Sequence, residues 1–75
     1  MDIVKEWKEI RLVMNGARKV LVENYKSILT YTEEEIIIIG SQRRLKISGK
    51  NMKISYYNQY DLSVKGEISG INWLV

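Results

Sequence analysis

Histidine, cysteine, proline and phenylalanine are all missing from this 75-residue chain. Without cysteine there is no disulfide and no thiol chemistry. Without histidine the commonest general base is gone, together with every histidine-containing zinc site. Long apolar runs are missing too: the longest, residues 36–39, has four members, far short of the ~18 of a membrane span. The opening Met1-Asp2-Ile3-Val4-Lys5-Glu6-Trp7 has no apolar stretch of the kind a signal peptide carries, so the sequence points to the cytoplasm. Between Glu35 and Asp61 there is no acidic residue at all, although the net charge of the whole chain is only +3. That small excess permits contact with nucleic acid or anionic lipid without demanding either.

What remains is an ordinary globular balance, 45% hydrophobic and 28% charged. At this length residues 1–75 form a single domain, and a chain so small buries only about 60% of the surface it exposes when unfolded. Oligomerisation or docking on a partner is a natural supplement to such a core.

An apolar-x-apolar-x-Gly unit occurs four times, at Leu12-x-Met14-x-Gly16, Ile36-x-Ile38-x-Gly40, Leu45-x-Ile47-x-Gly49 and Leu62-x-Val64-x-Gly66. Two apolar residues two apart share one face of a strand, and the glycine lets the chain turn. The irregular intervals read as repeated strand termination, not as a solenoid period. Residues 43–57 alternate best: Leu45, Ile47, Met52, Ile54 and Tyr56 face one way, Arg44, Lys46, Lys53 and Ser55 the other. Ser48-Gly49-Lys50-Asn51 reads as a hairpin connection between two strands. Asn15-Gly16, flanked by residues 10–14 and 17–22, is the strongest short-range hairpin signal in the chain.

Further strands are expected at residues 28–31, 35–39, 62–65 and 68–74, with a bulge or turn at Ser69-Gly70, where the alternation slips by one. Thr32-x-x-Glu35 matches a helix capping box, but the β-branched isoleucines after it favour a strand buried on both faces, so residues 32–34 read as a turn. Ile3, Trp7 and Ile10 fall near one helical face, which allows a short helix at the N-terminus. The fold class is therefore all-β: six to eight short antiparallel strands, with sheet, sandwich and partly open barrel all open. The core is expected to hold Leu45, Ile47, Met52, Ile54, Leu62, Val64, Ile71 and Trp73.

Catalysis has little to work with. No nucleophile elbow, phosphate-binding loop or dinucleotide fingerprint is present, and no cofactor is implied. Glu33-Glu34-Glu35 offers oxygen ligands for a divalent cation, yet no spacing completes a cage, and the same charges guard the isoleucine run from aggregation. A non-enzymatic protein is expected. Arg43, Arg44, Lys46, Lys50 and Lys53, followed by Tyr56, Tyr57 and Tyr60, are the chemistry of a single-strand nucleic-acid binder. The simpler assignment makes Tyr56 a core residue and the cations an open sheet face. Trp7 with Lys5, Lys8 and Arg11 allows peripheral contact with a membrane surface, diluted by Glu6 and Glu9.

With the strand pattern laid out, the chain resembles the YabP/YqfC family of sporulation proteins over about residues 10–74. The residues that carry this are the run Val20-Leu21-Val22-Glu23-Asn24-Tyr25-Lys26-Ser27-Ile28, then Tyr31 and Glu35-Ile36. Leu45-x-Ile47-x-Gly49-x-Asn51-Met52-x-Ile54 and Leu62-x-Val64-x-Gly66-x-Ile68-x-x-Ile71 follow. Asn24-Tyr25 stands where many relatives have Asn-His. The resemblance implies a non-enzymatic structural or adaptor protein in the mother cell of an endospore-forming bacterium. It would partner a sporulation membrane protein or assemble with itself, in the cytoplasm or peripheral to a membrane. The runner-up is a small basic domain that binds single-stranded nucleic acid. Candidate interaction residues are Glu23, Asn24 and Tyr25 in one turn, with Arg43, Arg44, Lys46, Lys53 and Tyr57 on the basic stretch.

Overall fold

The computed structural model describes residues 9–74, and all of its regular structure is strand. The expected N-terminal helix and the Trp7 surface fall mostly on residues outside that range; of the residues they used, Ile10 is buried in the core without helical structure and Arg11 begins the first strand. Six strands form one antiparallel sheet: β1 (Arg11–Asn15), β2 (Lys19–Glu23), β3 (Ser27–Tyr31), β4 (Glu35–Ile39), β5 (Arg44–Tyr57) and β6 (Asp61–Leu74). Their order across the sheet is β1-β2-β6-β5-β4-β3. The count falls at the low end of six to eight because two expected interruptions are bulges inside strands. Ser48-Gly49-Lys50-Asn51 lies within β5, and Gly66 lies within β6. Glycine here marks the middle of a long strand and not its end.

The reason is visible in the register of the two 14-residue strands. Residues 53–57 of β5 pair with 62–65 of β6, and residues 44–50 pair with 67–74. Between these blocks Asn51 and Met52 oppose Gly66 alone, and Ser69 is left out of the ladder between Ile68 and Gly70. An extra residue on one strand bends that strand and raises its twist. Asn51 takes up φ 54° and Gly66 φ 149° at this bend. A Cβ on Gly66 would stand 2.7 Å from the Cα of Met52, and one on Gly49 would strike the Glu67 carbonyl oxygen. The two strands thus cross where Gly49 on one and Gly66 on the other leave no room for a side chain at those two positions.

The bend turns one sheet into two facing layers. Val20, Val22, Ile36, Ile38, Leu45, Ile47, Leu62 and Val64 are each 0% exposed and belong to one cluster, together with Ile10, Met52 and Ile68. A single-layer sheet cannot hide a whole face in this way; its halves must cover one another. One layer is β1, β2, residues 61–65 of β6 and residues 53–57 of β5. The other is β3, β4, residues 44–50 of β5 and residues 67–74 of β6.

The layers are built alike. The turn of the β1–β2 hairpin is stitched to the bend when Gly66 N donates to Arg18 O at 3.0 Å and Ile68 N to Ala17 O at 2.9 Å. The β3–β4 turn does the same from the other side, with Gly49 N donating to Glu34 O at 3.1 Å and Met52 N to Glu33 O at 2.9 Å. This accounts for the repeated apolar-x-apolar-x-Gly unit at Leu45 and Leu62: both supply two core side chains and then a glycine at the crossing.

Several expected details follow from this geometry, and several do not. Thr32 forms a turn, its Oγ1 accepting from the amides of Glu34 at 3.2 Å and Glu35 at 2.9 Å. The isoleucine run is not buried on both faces: Ile36 and Ile38 are in the core while Ile37 and Ile39 lie half-buried on the outer face. Five of the eight expected core residues are buried, and Ile54 and Ile71 pack against the cluster from its margin. Trp73 is 41% exposed, with the Arg43 guanidinium 5.1 Å from its ring centroid, and Tyr56 is exposed as well. Both sit beyond a register shift or near a strand end, where the layers no longer cover each other.

Candidate interaction surfaces

The turn at Glu23-Asn24-Tyr25 is where the chain leaves the first layer for the second. Asn24 makes this possible with φ 67°, a conformation asparagine tolerates better than other non-glycine residues. Its Nδ2 donates to Glu9 O at 3.1 Å. Tyr25 N donates to Tyr60 O at 3.1 Å, and the Tyr25 hydroxyl donates to Asn58 O at 2.7 Å, while its ring packs on the core. Glu23 faces Arg11 across the β1–β2 pair, Oε1 to Nε 3.4 Å. These residues tie the turn to the tip of the β5–β6 hairpin.

The basic stretch is scattered. Arg43 stacks on Trp73 and lies 3.9 Å from a Glu9 carboxylate oxygen; Lys46 lies 3.6 Å from Glu35. Lys50 stands opposite Glu67, and Arg44 opposite Leu74. Lys53 is in the other layer, nine positions and about 30 Å of strand beyond Arg44. Tyr56, Tyr57 and Tyr60 cluster at the exposed β5–β6 tip, where Asn58 Oδ1 accepts from the amides of Tyr60 at 2.8 Å and Asp61 at 2.7 Å. The tyrosines are therefore not interleaved with the arginines. Among the described residues no group of three or more His, Cys, Asp or Glu could hold a metal ion, and no helix is long and apolar enough to cross a membrane.

The four layer edges differ in a way the sequence did not signal. On β3 the register shifts between Ile28 and Thr30, leaving Leu29 as a bulge. At the β5 edge, residues 53–57 carry another shift, and Ile54 N is occupied by the Tyr31 hydroxyl at 2.8 Å. Residues 67–74 of β6 carry the Ser69 bulge and the Ile68 to Ala17 bond. Bulges and caps of this kind blunt an edge against further pairing. Among the described residues β1 has none of them: all five of its residues pair with β2 without a shift. Val13 and Met14 on it are exposed.

The YabP family model matches residues 6–74. The chain belongs to the YabP family. Membership associates it with sporulation, and it agrees with the resemblance read from the residues. No curated protein and no solved structure matches the chain significantly. The positions that carry the YabP resemblance are the framework just described: Val20, Val22, Leu45, Ile47, Leu62 and Val64 in the core, Gly49 and Gly66 at the crossing, and Asn24 at the change of layer. The β1 edge lies within the matched region but outside that framework.

Proposed function

We propose that this YabP-family protein is a non-enzymatic adaptor of endospore formation that acts in the mother cell by adding a partner's strand, or a second copy's, to β1. The observation that supports this most is the contrast among the four edges, since β1 alone keeps a regular ladder with no bulge. An unblocked edge presents a row of backbone donors and acceptors, and strand addition uses such a row for affinity while side-chain pockets set specificity. The partner class is a sporulation membrane protein, in keeping with the family. Nucleic-acid binding through the Arg43 to Lys53 stretch is the weaker reading, because the cations occupy two layers and three of them face carboxylates.

Interaction capture from sporulating cells with the wild-type chain and with Val13→Lys tests this. Lysine on an edge strand is a natural barrier to pairing. The expected result is one protein retained by the wild type and lost by the variant while the variant keeps its β spectrum. Equal retention by both removes β1 as the contact.

A further inference from the structure

Lys19, Lys65 and Lys53 stand directly opposite one another on β2, β6 and β5, on the outer face of the first layer. At ~4.8 Å between strands this makes a row about 10 Å long. All three side chains are exposed, and none makes an ion pair among the described residues. Like charges directly opposite in a sheet repel and destabilise it. Two such pairs in succession are a standing cost to a small fold. The equivalent positions of the second layer hold Glu35, Ser48 and Gly70, so the architecture does not require the row. Towards the hairpin tip the next row is Val13, Leu21, Ser63 and Tyr56, and the carboxylates of Glu23 and Asp61 come only in the row after that. On the other side Glu67 follows Lys65 by two residues on β6 and stands opposite Lys50, and Glu33 lines a recess with Lys53 without an ion pair between them.

We propose that this row seats the protein on an anionic phospholipid surface. Three features favour a bilayer over other anionic partners. The row lies on an exposed sheet face, and the recess beside Lys53 is lined by the carboxylate of Glu33, which would repel an anionic peptide. The row itself holds no aromatic side chain, and Tyr56 alone in the row beside it falls short of the successive aromatic platforms on which single-strand binders stack bases. It is lysine throughout, a compact and hydrated point charge suited to scattered headgroup phosphates, where paired carboxylates or guanine edges favour the planar fork of arginine. This inference is independent of the β1 reading, and either can fail alone.

Sedimentation of the full chain with vesicles at low salt tests it. Binding is expected to an equal mixture of phosphatidylglycerol and phosphatidylcholine, and not to phosphatidylcholine alone. It should fade as the Debye length falls from ~30 Å at 0.01 M to ~8 Å at 0.15 M salt. Each lysine removed should weaken partitioning about fivefold, the equivalent of ~1 kcal/mol per cation near the surface. The triple variant Lys19→Gln/Lys53→Gln/Lys65→Gln should thus lose about a hundredfold or more, while melting no lower than the wild type because the repulsion is gone. Lys26→Gln/Arg43→Gln/Arg44→Gln removes the same charge elsewhere and should bind nearly as the wild type does. Equal loss in the two triples, or no vesicle binding at low salt, overturns the proposal. So does a single-stranded oligonucleotide held through the same three lysines more tightly than vesicles.

Discussion

Gly66→Ala tests the bend on which both layers depend. Gly66 adopts φ 149°, where a residue with a Cβ is strained, and the added methyl would stand 2.7 Å from the Cα of Met52, 2.9 Å from Asn51 O and 3.0 Å from Met52 Cγ. Two of those three atoms are backbone and cannot swing aside. Backbone strain of this type costs ~1–3 kcal/mol, and forcing extra volume into a filled site costs another ~1–3 kcal/mol. The sum, roughly 2–6 kcal/mol, is set against a stability of about 4–11 kcal/mol for a domain of this length at 0.05–0.15 kcal/mol per residue. Urea denaturation followed by circular dichroism should therefore show a midpoint lowered by about 1–3 M for a loss of ~3 kcal/mol, given a slope of ~1–3 kcal/mol/M. Gly70→Ala is the matched control, since nothing lies within 4 Å of its added Cβ and its φ is not positive. If the two alanine variants unfold at the same urea concentration, the strands do not cross as described.

Ile47→Ala should cost ~2–5 kcal/mol by the same assay, as expected for a fully buried isoleucine, and Ile54→Ala clearly less because that side chain lies at the margin. Trp73→Ala should cost far less than a buried tryptophan does, chiefly the Arg43 stack at ~0.5–1 kcal/mol. Asn58→Ala should remove the acceptor for the Tyr60 and Asp61 amides and destabilise by about 1 kcal/mol, with amide exchange quickened at those two residues first.

Much of the fold is legible in the residues. Alternation and turn chemistry locate β1 through β4 to within a residue or two, and the slip at Ser69 announces its bulge. What local pattern cannot show is that Ser48-Gly49-Lys50-Asn51 continues a strand. A bulge and a hairpin use the same residue types, and only the opposite strand, supplying Gly66 at the crossing, decides between them. The same blindness explains Trp73: its parity is right for the core, but how far one layer covers the other depends on strand lengths that local sequence does not encode. The basic stretch misleads because five cations near in sequence straddle the bend. Lys19 and Lys65, distant in sequence, join Lys53 instead; their signal was an outward parity beside Val20 and Val64, readable once the register is known.

The most direct test of the functional account is spore formation in a strain deleted for this gene and complemented with either the wild-type chain or Val13→Lys. The account predicts normal vegetative growth throughout and defective spore formation in the deletion. Wild type should rescue, and Val13→Lys should fail to rescue although it accumulates as a folded protein. Normal sporulation of the deletion strain, or full rescue by Val13→Lys, would contradict it.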